Sequence, residues 1–301
     1  MNILIIYHRV DFDGLFGGAI AKKYYTEVKG EFPQFLGWNY GDTLPEIDYL
    51  NTFDEILMTD ISFPPELMKK LCDGGKTAWV DHHGTAIADS EKYGYSGMPG
   101  IRVNGIAACE LTWKFLYSGV ACPKIIQYIG AYDVWNKDKF NWDEETLPIQ
   151  YALRAKFELK FSKVSSYLNE LITNQRMLNY LIACGKSILA YNKSTWKSWV
   201  KTYGFPVTVA GKYKGMALIS PQFGSSMFES VLSDYDIYVV AQRKGPDAFS
   251  VSLYKEPDRL PEFNCGEYVA KTYSNGGGHP SACGCLIDRE QFMRLITDGE
   301  I

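Results

Sequence analysis

The chain has 301 residues, of which 46% are hydrophobic, and a formal net charge of −4. This length favours two domains, since single cores stop growing at about 250 to 300 residues. The net charge argues against long duplex nucleic acid as a partner, because that binding depends on Lys and Arg neutralising phosphates. The N-terminal apolar run is short and follows no basic segment, so we predict a cytoplasmic protein with no signal peptide and no membrane partner.

Three short apolar runs early in the chain end in Asp or His. They are residues 2–7 before His8, residues 55–59 before Asp60, and residues 77–80 before Asp81, His82 and His83. Their Ile-, Leu- and Val-rich, non-alternating composition predicts buried strands of a parallel sheet. Helical patterns over residues 14–27 and 64–72 separate them. This alternation predicts a doubly wound α/β domain.

Helical patterns continue over residues 106–117 and 124–132, and a long amphipathic region covers residues 165–199. The later predicted elements are strands at residues 207–210, 216–219, 237–241 and 249–254, and a helix from Asn264, with Glu267 completing a capping box. We therefore predict a parallel-sheet domain at 1–155, a helical connector at 156–204 and a smaller mixed α/β domain at 205–301.

Six residues at the predicted strand and helix ends form a candidate site for two divalent cations. They are His8, Asp11, Asp13, Asp60, His82 and Asp133. Side chains that follow parallel strands meet at the carboxyl edge of the sheet, where α/β proteins bind ligands. Paired cations need several carboxylates and one or two imidazoles, and they activate water for attack on phosphorus. Oxygen and imidazole ligands suit Mn²⁺, Mg²⁺ or Fe²⁺, and we expect Mn²⁺ first.

The segments HRVDFDG, TDIS, VDHH and AYDVW resemble, in order, the four motifs of the DHH phosphoesterases. The segment NGGGHPSACG resembles the GGGH signature of the DHH-associated second domain. Together they cover nearly the whole chain and imply a DHH catalytic domain, a DHH-associated substrate-binding domain and an active site in the cleft between them. The chain is similar in this respect to nanoRNases, 3′-phosphoadenosine 5′-phosphate phosphatases and cyclic-dinucleotide phosphodiesterases.

The resemblance also implies a role for each matching residue. One metal would be bound by His8, Asp11 and the bridging Asp60, and the other by Asp13, Asp60, His82 and Asp133. Asp81 would orient the adjacent histidine by accepting its ring N–H. Asp60 and His83 would be catalytic, with His83 contacting the substrate phosphate or protonating the leaving oxygen. Two residues separate His8 from Asp11, where family members commonly have one or three.

The second domain is expected to select the substrate. The candidate substrate-binding residues are Asn275, Gly276, Gly277, Gly278 and His279. Glycines let backbone N–H groups approach an anion closely, and a histidine adds a donor. Family members that cleave short nucleotides often carry an Arg in the preceding strand, and Tyr254, Lys255 or Arg259 stands in its place here.

Some features have two interpretations. Arg9 is a phosphate contact or a solvated charge, and the N–H groups that open the helix near residues 105–110 face a phosphate or pack on the sheet. Four aromatic side chains near the motifs either stack on a base or pack in the core, and core packing is preferred for most. These side chains are Phe12, Phe16, Tyr132 and Trp135.

The sequence thus predicts a metal-dependent phosphoesterase, monomeric or homodimeric, that hydrolyses short oligonucleotides or small phosphorylated nucleotides. One alternative is an inorganic pyrophosphatase or polyphosphatase, although that family pairs the DHH motifs with a different second domain. The other is a nucleotide-binding sensor with little catalysis. Metal-dependent product formation, measured beside binding, separates these classes.

Overall fold

The computed structural model describes residues 1–221, 224–256, 258–273 and 275–301. The chain divides into two compact units, Met1–Leu189 and Ala190–Ile301. None of the helices in the described part of the chain is long and apolar enough to cross a membrane.

The first unit contains four strands and most of the helices. The strands are β1 (Ile3–His8), β2 (Gln34–Trp38), β3 (Glu55–Thr59) and β4 (Thr77–Val80). The helices are α1 (Phe12–Tyr24), α2 (Ile47–Asn51), α3 (Pro65–Gly74), α4 (Gly84–Lys92), α5 (Ala108–Leu116), α6 (Lys124–Asp133), α7 (Leu147–Phe157), α8 (Phe161–Thr173) and the start of α9 (Gln175–Tyr203). Two π-helical turns, Tyr25–Lys29 and Trp142–Thr146, follow α1 and precede α7.

The four strands form a parallel sheet in the order β2-β1-β3-β4. Alternate side chains of β1 enter different hydrophobic clusters. Leu4 packs with the α3 cluster around Met68, whereas Ile5 packs with the cluster that contains Leu111 of α5. The sheet is therefore covered on both faces, which is why its central strands read as continuous apolar runs.

The predicted fold class is confirmed, and the three predicted strands of this sheet are present. Strand β2 was not predicted. This strand lies at the sheet edge, and only its last residue, Trp38, is fully buried. Gly37 interrupts the apolar pattern of its sequence, QFLGW. The predicted helices are present with shifted ends, while α2, α4 and α7 were missed.

The predicted amphipathic region is two helices, α8 and α9, separated at Asn174. Phe161, the first residue of α8, stacks on Tyr7 of β1 with ring centroids 4.6 Å apart. Lys22 of α1 also donates a hydrogen bond to Ser165. Helix α8 is thus an integral part of the first unit.

The second unit contains the end of α9 and a six-stranded mixed sheet. Its strands are β5 (Phe205–Val209), β6 (Tyr213–Ile219), β7 (Ile237–Arg243), β8 (Ala248–Tyr254), β9 (Gly277–His279) and β10 (Ala282–Asp288). Its further helices are a 3-10 helix (Ser225–Val231), α10 (Cys265–Thr272) and α11 (Arg289–Thr297). The order is β5-β6-β7-β8-β10-β9, with only β6 and β7 parallel. Asn264 caps α10 as predicted, but its side chain, not its backbone N–H, contacts the Glu267 carboxylate.

Strands β9 and β10 and helix α11 were not predicted. The sequence ACGCLID of β10 reads as a loop because of its small residues. In the structure Cys283, Cys285 and Ile287 alternate into the core while β10 pairs with β8. The period-two spacing of these three residues was the missed signal.

Candidate metal centre

The candidate metal ligands of the first unit lie together at the carboxyl edge of its sheet. Strands β1, β3 and β4 are adjacent and parallel, so the residues that follow them share this edge. Three overlapping groups of side chains have ligand atoms within 4.8 Å of one another. The groups are His8, Asp11 and Asp60; Asp13, His82 and Asp133; and Asp60, His82 and His83.

The first group surrounds the imidazole of His8. Its Nδ1 lies 2.6 Å from Oδ2 of Asp11 and 3.4 Å from Oδ2 of Asp60. The other oxygen of Asp11 caps α1 by accepting the N–H of Gly14 at 2.9 Å. A Cβ on Gly14 would lie 2.1 Å from the His8 carbonyl oxygen, so only glycine lets α1 begin this close to β1. The unusual spacing therefore still places Asp11 beside His8.

The second group surrounds the imidazole of His82. Its Nε2 lies 3.6 Å from Oδ2 of Asp13, 3.3 Å from Oδ2 of Asp133 and 3.3 Å from Oδ1 of Asp60. Asp60 thus presents one oxygen to His8 and the other to His82. This is the arrangement that a bridging carboxylate requires.

The backbone of Asp60 is strained. It has a φ of 62°, in the left-handed region that few residues other than Gly, Asn and Asp occupy. Its N–H donates to the carbonyl of Val80 at 3.0 Å, and its side chain is buried. Local strain held by surrounding structure is a feature of functional sites.

Asp13 is anchored by the start of α5. Its two carboxylate oxygens accept the N–H groups of Ala108 and Cys109 at 2.8 and 2.7 Å. These N–H groups belong to the helix start for which the sequence left phosphate binding open as one interpretation. The contact shows that they bind a carboxylate of the protein instead.

The cluster fits divalent cations. Asp60 Oδ1 is buried with no hydrogen-bond partner. Burial raises the pKa of Asp60 to about 8, and the charges of Asp11 and Asp133 add to this effect. Burial would lower the pKa of His8, but hydrogen bonds with Asp11 and Asp60 outweigh it and raise the pKa to about 10. Burial makes the charged form of these carboxylates unfavourable, so they are expected to bind protons or cations.

These shifts predict how stability depends on pH. Burial is also the main reason that the pKa values of Asp13 and Asp133 rise to about 8, from 3.8 for an unperturbed Asp. Between these values the folded protein keeps protons that the unfolded chain has released, so the free energy of unfolding falls as pH rises. We expect a loss of about 2 kcal/mol or more from pH 5 to pH 8 in a chelator.

Urea unfolding at both pH values, with chelator or with Mn²⁺, measures this loss. Because cations displace the protons, Mn²⁺ should remove most of the decline. Equal pH dependence with and without Mn²⁺ would show that these carboxylates bind no metal.

Asp81 holds the turn that carries both histidines, but its ring contact differs from the prediction. Its Oδ1 accepts the backbone N–H groups of His82 and His83 at 2.7 and 3.2 Å. The same oxygen accepts Nδ1–H of His83 at 2.7 Å, and no ring atom of His82. The hydrogen bond from Asp81 is the main reason that the pKa of His83 rises to about 9. Asp81 therefore fixes the orientation of the His83 ring, and Nε2 of His83 makes no hydrogen bond with any described residue.

The loop after β2 supplies partners that the sequence analysis missed. Asn39 Oδ1 accepts Nε2–H of His8 at 3.0 Å, which directs Nδ1 of His8 towards Asp11 and Asp60. Asp42 accepts the backbone N–H of Asn39 and binds Arg9 through two hydrogen bonds of 3.1 and 2.9 Å. Arg9 is thus a loop anchor in this structure. Asn39 could have been found as another polar residue after a strand, had β2 been recognised.

Replacing Asn39 with Ala should weaken metal binding. The substitution removes the acceptor that fixes the His8 ring, and loss of such partners commonly costs about 10- to 100-fold in metal affinity. Titration with Mn²⁺, followed calorimetrically, measures the change. Asn51→Ala, at an exposed position at the end of α2, is the control and should bind like the wild type. Unchanged Mn²⁺ affinity in Asn39→Ala would remove Asn39 from the site.

The aromatic candidates have different environments. Phe12 and Phe16 are buried in the core, as preferred. Trp135 is 44% exposed and has a φ of 54°, and Nζ of Lys137 lies 5.4 Å from its ring centroid. Core packing therefore does not explain Trp135.

The glycine-rich segment of the second unit forms the short edge strand β9. Gly276, Gly277 and Gly278 are followed by an exposed His279. Cβ atoms on Gly276 and Gly278 would lie 2.3 Å from Val269 O and 2.6 Å from Ala282 O, so close packing already requires these glycines. Asn275 uses its Oδ1 to accept the N–H of Leu286 at 3.1 Å. Binding of substrate by this segment stays a prediction.

The two cationic residues that stand in place of the family arginine form hydrogen bonds within the second unit. Lys255 is buried and its Nζ donates to the carbonyl of Arg259 at 3.0 Å. The Arg259 guanidinium donates to the carbonyls of Leu232 and Ser233 and pairs with Asp236. Tyr254 lies at the end of β8. Neither cation extends freely from the sheet.

Comparisons with known proteins define the fold. No family model and no curated protein matches this sequence. A pGpG-specific phosphodiesterase, PggH, from Vibrio cholerae aligns with a TM-score of 0.55 and 15% identity over 99% of this chain and 97% of that one. The DHH domain of a protein described as a member of a ribosomal-protein family aligns with a TM-score of 0.63 and 14% identity over 99% and 86% of the two chains.

The chain therefore has the DHH fold that its motifs predicted. The likeness extends over both units, because each alignment covers 99% of the chain. At these identities the resemblance to DHH phosphoesterases is confirmed at the level of the fold.

Proposed function

We propose that this protein is a metal-dependent phosphodiesterase that hydrolyses short linear nucleotides. The observation that carries the proposal is the position of Asp60, whose two oxygens face His8 and His82 from the shared edge of a DHH sheet. Its place in two of the three candidate metal groups supports a pair of cations that share this carboxylate.

Each residue of the cluster has a role in the proposal. His8, Asp11 and Asp60 would hold one cation, and Asp13, Asp60, His82 and Asp133 the other. Bound divalent cations would lower the pKa of water and offset the charge of a phosphate. Mn²⁺ is proposed as the natural ion, because the ligands are carboxylates and imidazoles.

His83 is proposed to act on the substrate. Asp81 fixes the orientation of its ring and keeps it protonated. Its Nε2–H would donate to a phosphate oxygen, and later give its proton to the leaving oxygen. The side chain is partly exposed, so a substrate can reach it.

Linear dinucleotides are the proposed substrate class. The likeness to a phosphodiesterase specific for pGpG supports this choice. The net charge of −4 also favours a short substrate over a long duplex. His279 and the glycines before it are proposed as contacts for a second phosphate.

A comparison of initial rates tests the proposal. The purified protein is incubated with Mn²⁺ and either dinucleotides, longer RNAs, 3′-phosphoadenosine 5′-phosphate or pyrophosphate. We expect dinucleotides to be converted to mononucleotides fastest, and a chelator to stop the reaction. Preferential hydrolysis of pyrophosphate, or nucleotide binding without any product, would contradict the proposal.

A further inference from the structure

A cavity of about 560 Å³ lies in the first unit beside the candidate metal centre. Its walls come from the loop after β2, the loop after β3 and one face of α4. This volume is within the range of sites that hold small organic ligands. Neither the metal cluster nor the comparisons assign it a role.

The cavity begins where the metal cluster ends. His83 lines it, and so does Tyr40, whose ring meets those of His8 and His83 edge-on with centroids 5.9 and 6.3 Å apart. A phosphate held near His83 would therefore have its neighbouring nucleoside at the mouth of this cavity.

The aromatic wall suits a flat ligand. Tyr40 is 48% exposed, and its ring rests on Trp38, which in turn packs against Phe63 with centroids 5.0 Å apart. The hydroxyl of Tyr40 lies 3.5 Å from the Ser62 hydroxyl. An exposed ring held by buried rings is a platform for base stacking.

Apart from His83, the charged groups that line the cavity are carboxylates, which accept hydrogen bonds, and the hydroxyls of Tyr40, Ser62 and Thr85 are its neutral polar groups. Asp42 and Asp89 line it, and no Lys or Arg of the described chain does. Asp42 is already bound to Arg9 and to the N–H of Asn39, whereas the Asp89 carboxylate has no hydrogen bond or salt bridge with any described residue. A second phosphate would be repelled here, and a base that presents N–H donors would be bound.

Guanine matches this chemistry best. Its N1–H and 2-amino group are adjacent donors, so one carboxylate can accept both, and such paired charge-assisted bonds are strong. Adenine presents an acceptor at N1 beside its amino group. A carboxylate therefore favours guanine and disfavours adenine at the same position.

We propose that this cavity, the Tyr40 pocket, binds the nucleobase next to the scissile phosphate and selects guanine through Asp89. The proposal rests on the proposed function, since the phosphate beside His83 sets the position of the base. Tyr40 stacks on the base, and the Asp89 carboxylate accepts N1–H and the 2-amino N–H.

The test compares kcat/KM for pGpG and pApA with Mn²⁺ in the wild type and in Asp89→Asn. A paired contact discriminates by about 1 to 3 kcal/mol, so we expect the wild type to prefer pGpG by about 10- to 100-fold. Asp89→Asn should lose most of this preference through a lower rate on pGpG. Glu91→Gln removes an exposed carboxylate from the same helix and should keep the preference.

Binding of mononucleotides separates failure of the pocket from failure of the proposed function. Calorimetry with the Mn²⁺-loaded wild type should show tighter binding of GMP than of AMP, and Asp89→Asn should abolish the difference. Equal rates and equal binding for the two bases would overturn the pocket while leaving the hydrolase proposal intact. If no dinucleotide is cleaved, the hydrolase proposal fails, and the GMP preference and its loss in Asp89→Asn still decide the pocket.

A second variant guards against a change in folding. Thr85→Trp adds bulk at an exposed position on the cavity wall and leaves both carboxylates in place. It should lower kcat/KM for pGpG and pApA by about 10-fold or more, which is about the energy of one stacked base. Full activity in Thr85→Trp would contradict occupation of the cavity.

Discussion

Asp60→Asn should reduce hydrolysis by more than about 10³-fold, as removal of a central catalytic group commonly does. The amide keeps the size of the carboxylate but lacks its charge, so it cannot bridge two cations between His8 and His82. Asn also tolerates the left-handed backbone that this position requires, whereas Ala would add strain. Initial rates on a dinucleotide with Mn²⁺ measure the effect.

The stability of the same variant distinguishes loss of chemistry from loss of fold. Because burial disfavours the Asp60 anion, a neutral amide should leave the free energy of unfolding in a chelator unchanged or higher at pH 8. Asp48→Asn, at an exposed position on α2, is the matched control and should retain full activity. An Asp60→Asn enzyme with more than a tenth of wild-type activity would remove the bridging role.

Asp81→Asn should reduce activity by about 10- to 100-fold, the usual cost of losing a group that orients a functional side chain. Asp81 is fully buried, and one of its oxygens accepts three N–H groups of the histidine turn. Its other oxygen accepts the indole N–H of Trp79 at 3.2 Å. Asn can keep part of this network but removes the charge beside His83.

The pH dependence of activity in Asp81→Asn shows whether Asp81 acts through the protonation of His83. The hydrogen bond and charge of Asp81 raise the pKa of His83, so without the charge that pKa should fall. A His83 that donates a proton must be protonated, and the alkaline limit of activity should therefore move to lower pH. A lower rate with an unshifted alkaline limit would mean that Asp81 acts on folding or on His82 instead.

The fold was predictable where the burial of a segment is visible in its own amino-acid composition. The central strands β1 and β3 are buried on both faces, and the edge strand β4 is also mostly buried, so the apolar runs of all three are visible in the sequence. The other edge strand, β2, is mostly half-buried, and β10 is built from small residues, so neither produces such a run. Their positions depend on pairing with distant strands.

The candidate site was predictable for a similar reason. Residues at the ends of adjacent parallel strands, here His8, Asp60 and His82, must meet at one edge. The other three predicted metal ligands, Asp11 and Asp13 at the start of α1 and Asp133 at the end of α6, are found beside them. Contacts set by tertiary packing were not visible. Examples are the binding of Asp13 to the start of α5, the pairing of Asp81 with His83, and the orientation of His8 by Asn39.

Direct measurement of Mn²⁺ stoichiometry tests the central claim, a pair of cations that share Asp60. Equilibrium dialysis of the wild type, with metal and protein determined independently, should give two Mn²⁺ ions per chain. The same measurement on Asp60→Asn should give fewer at equal free Mn²⁺. One ion or none in the wild type, or an unchanged two in Asp60→Asn, would contradict the account.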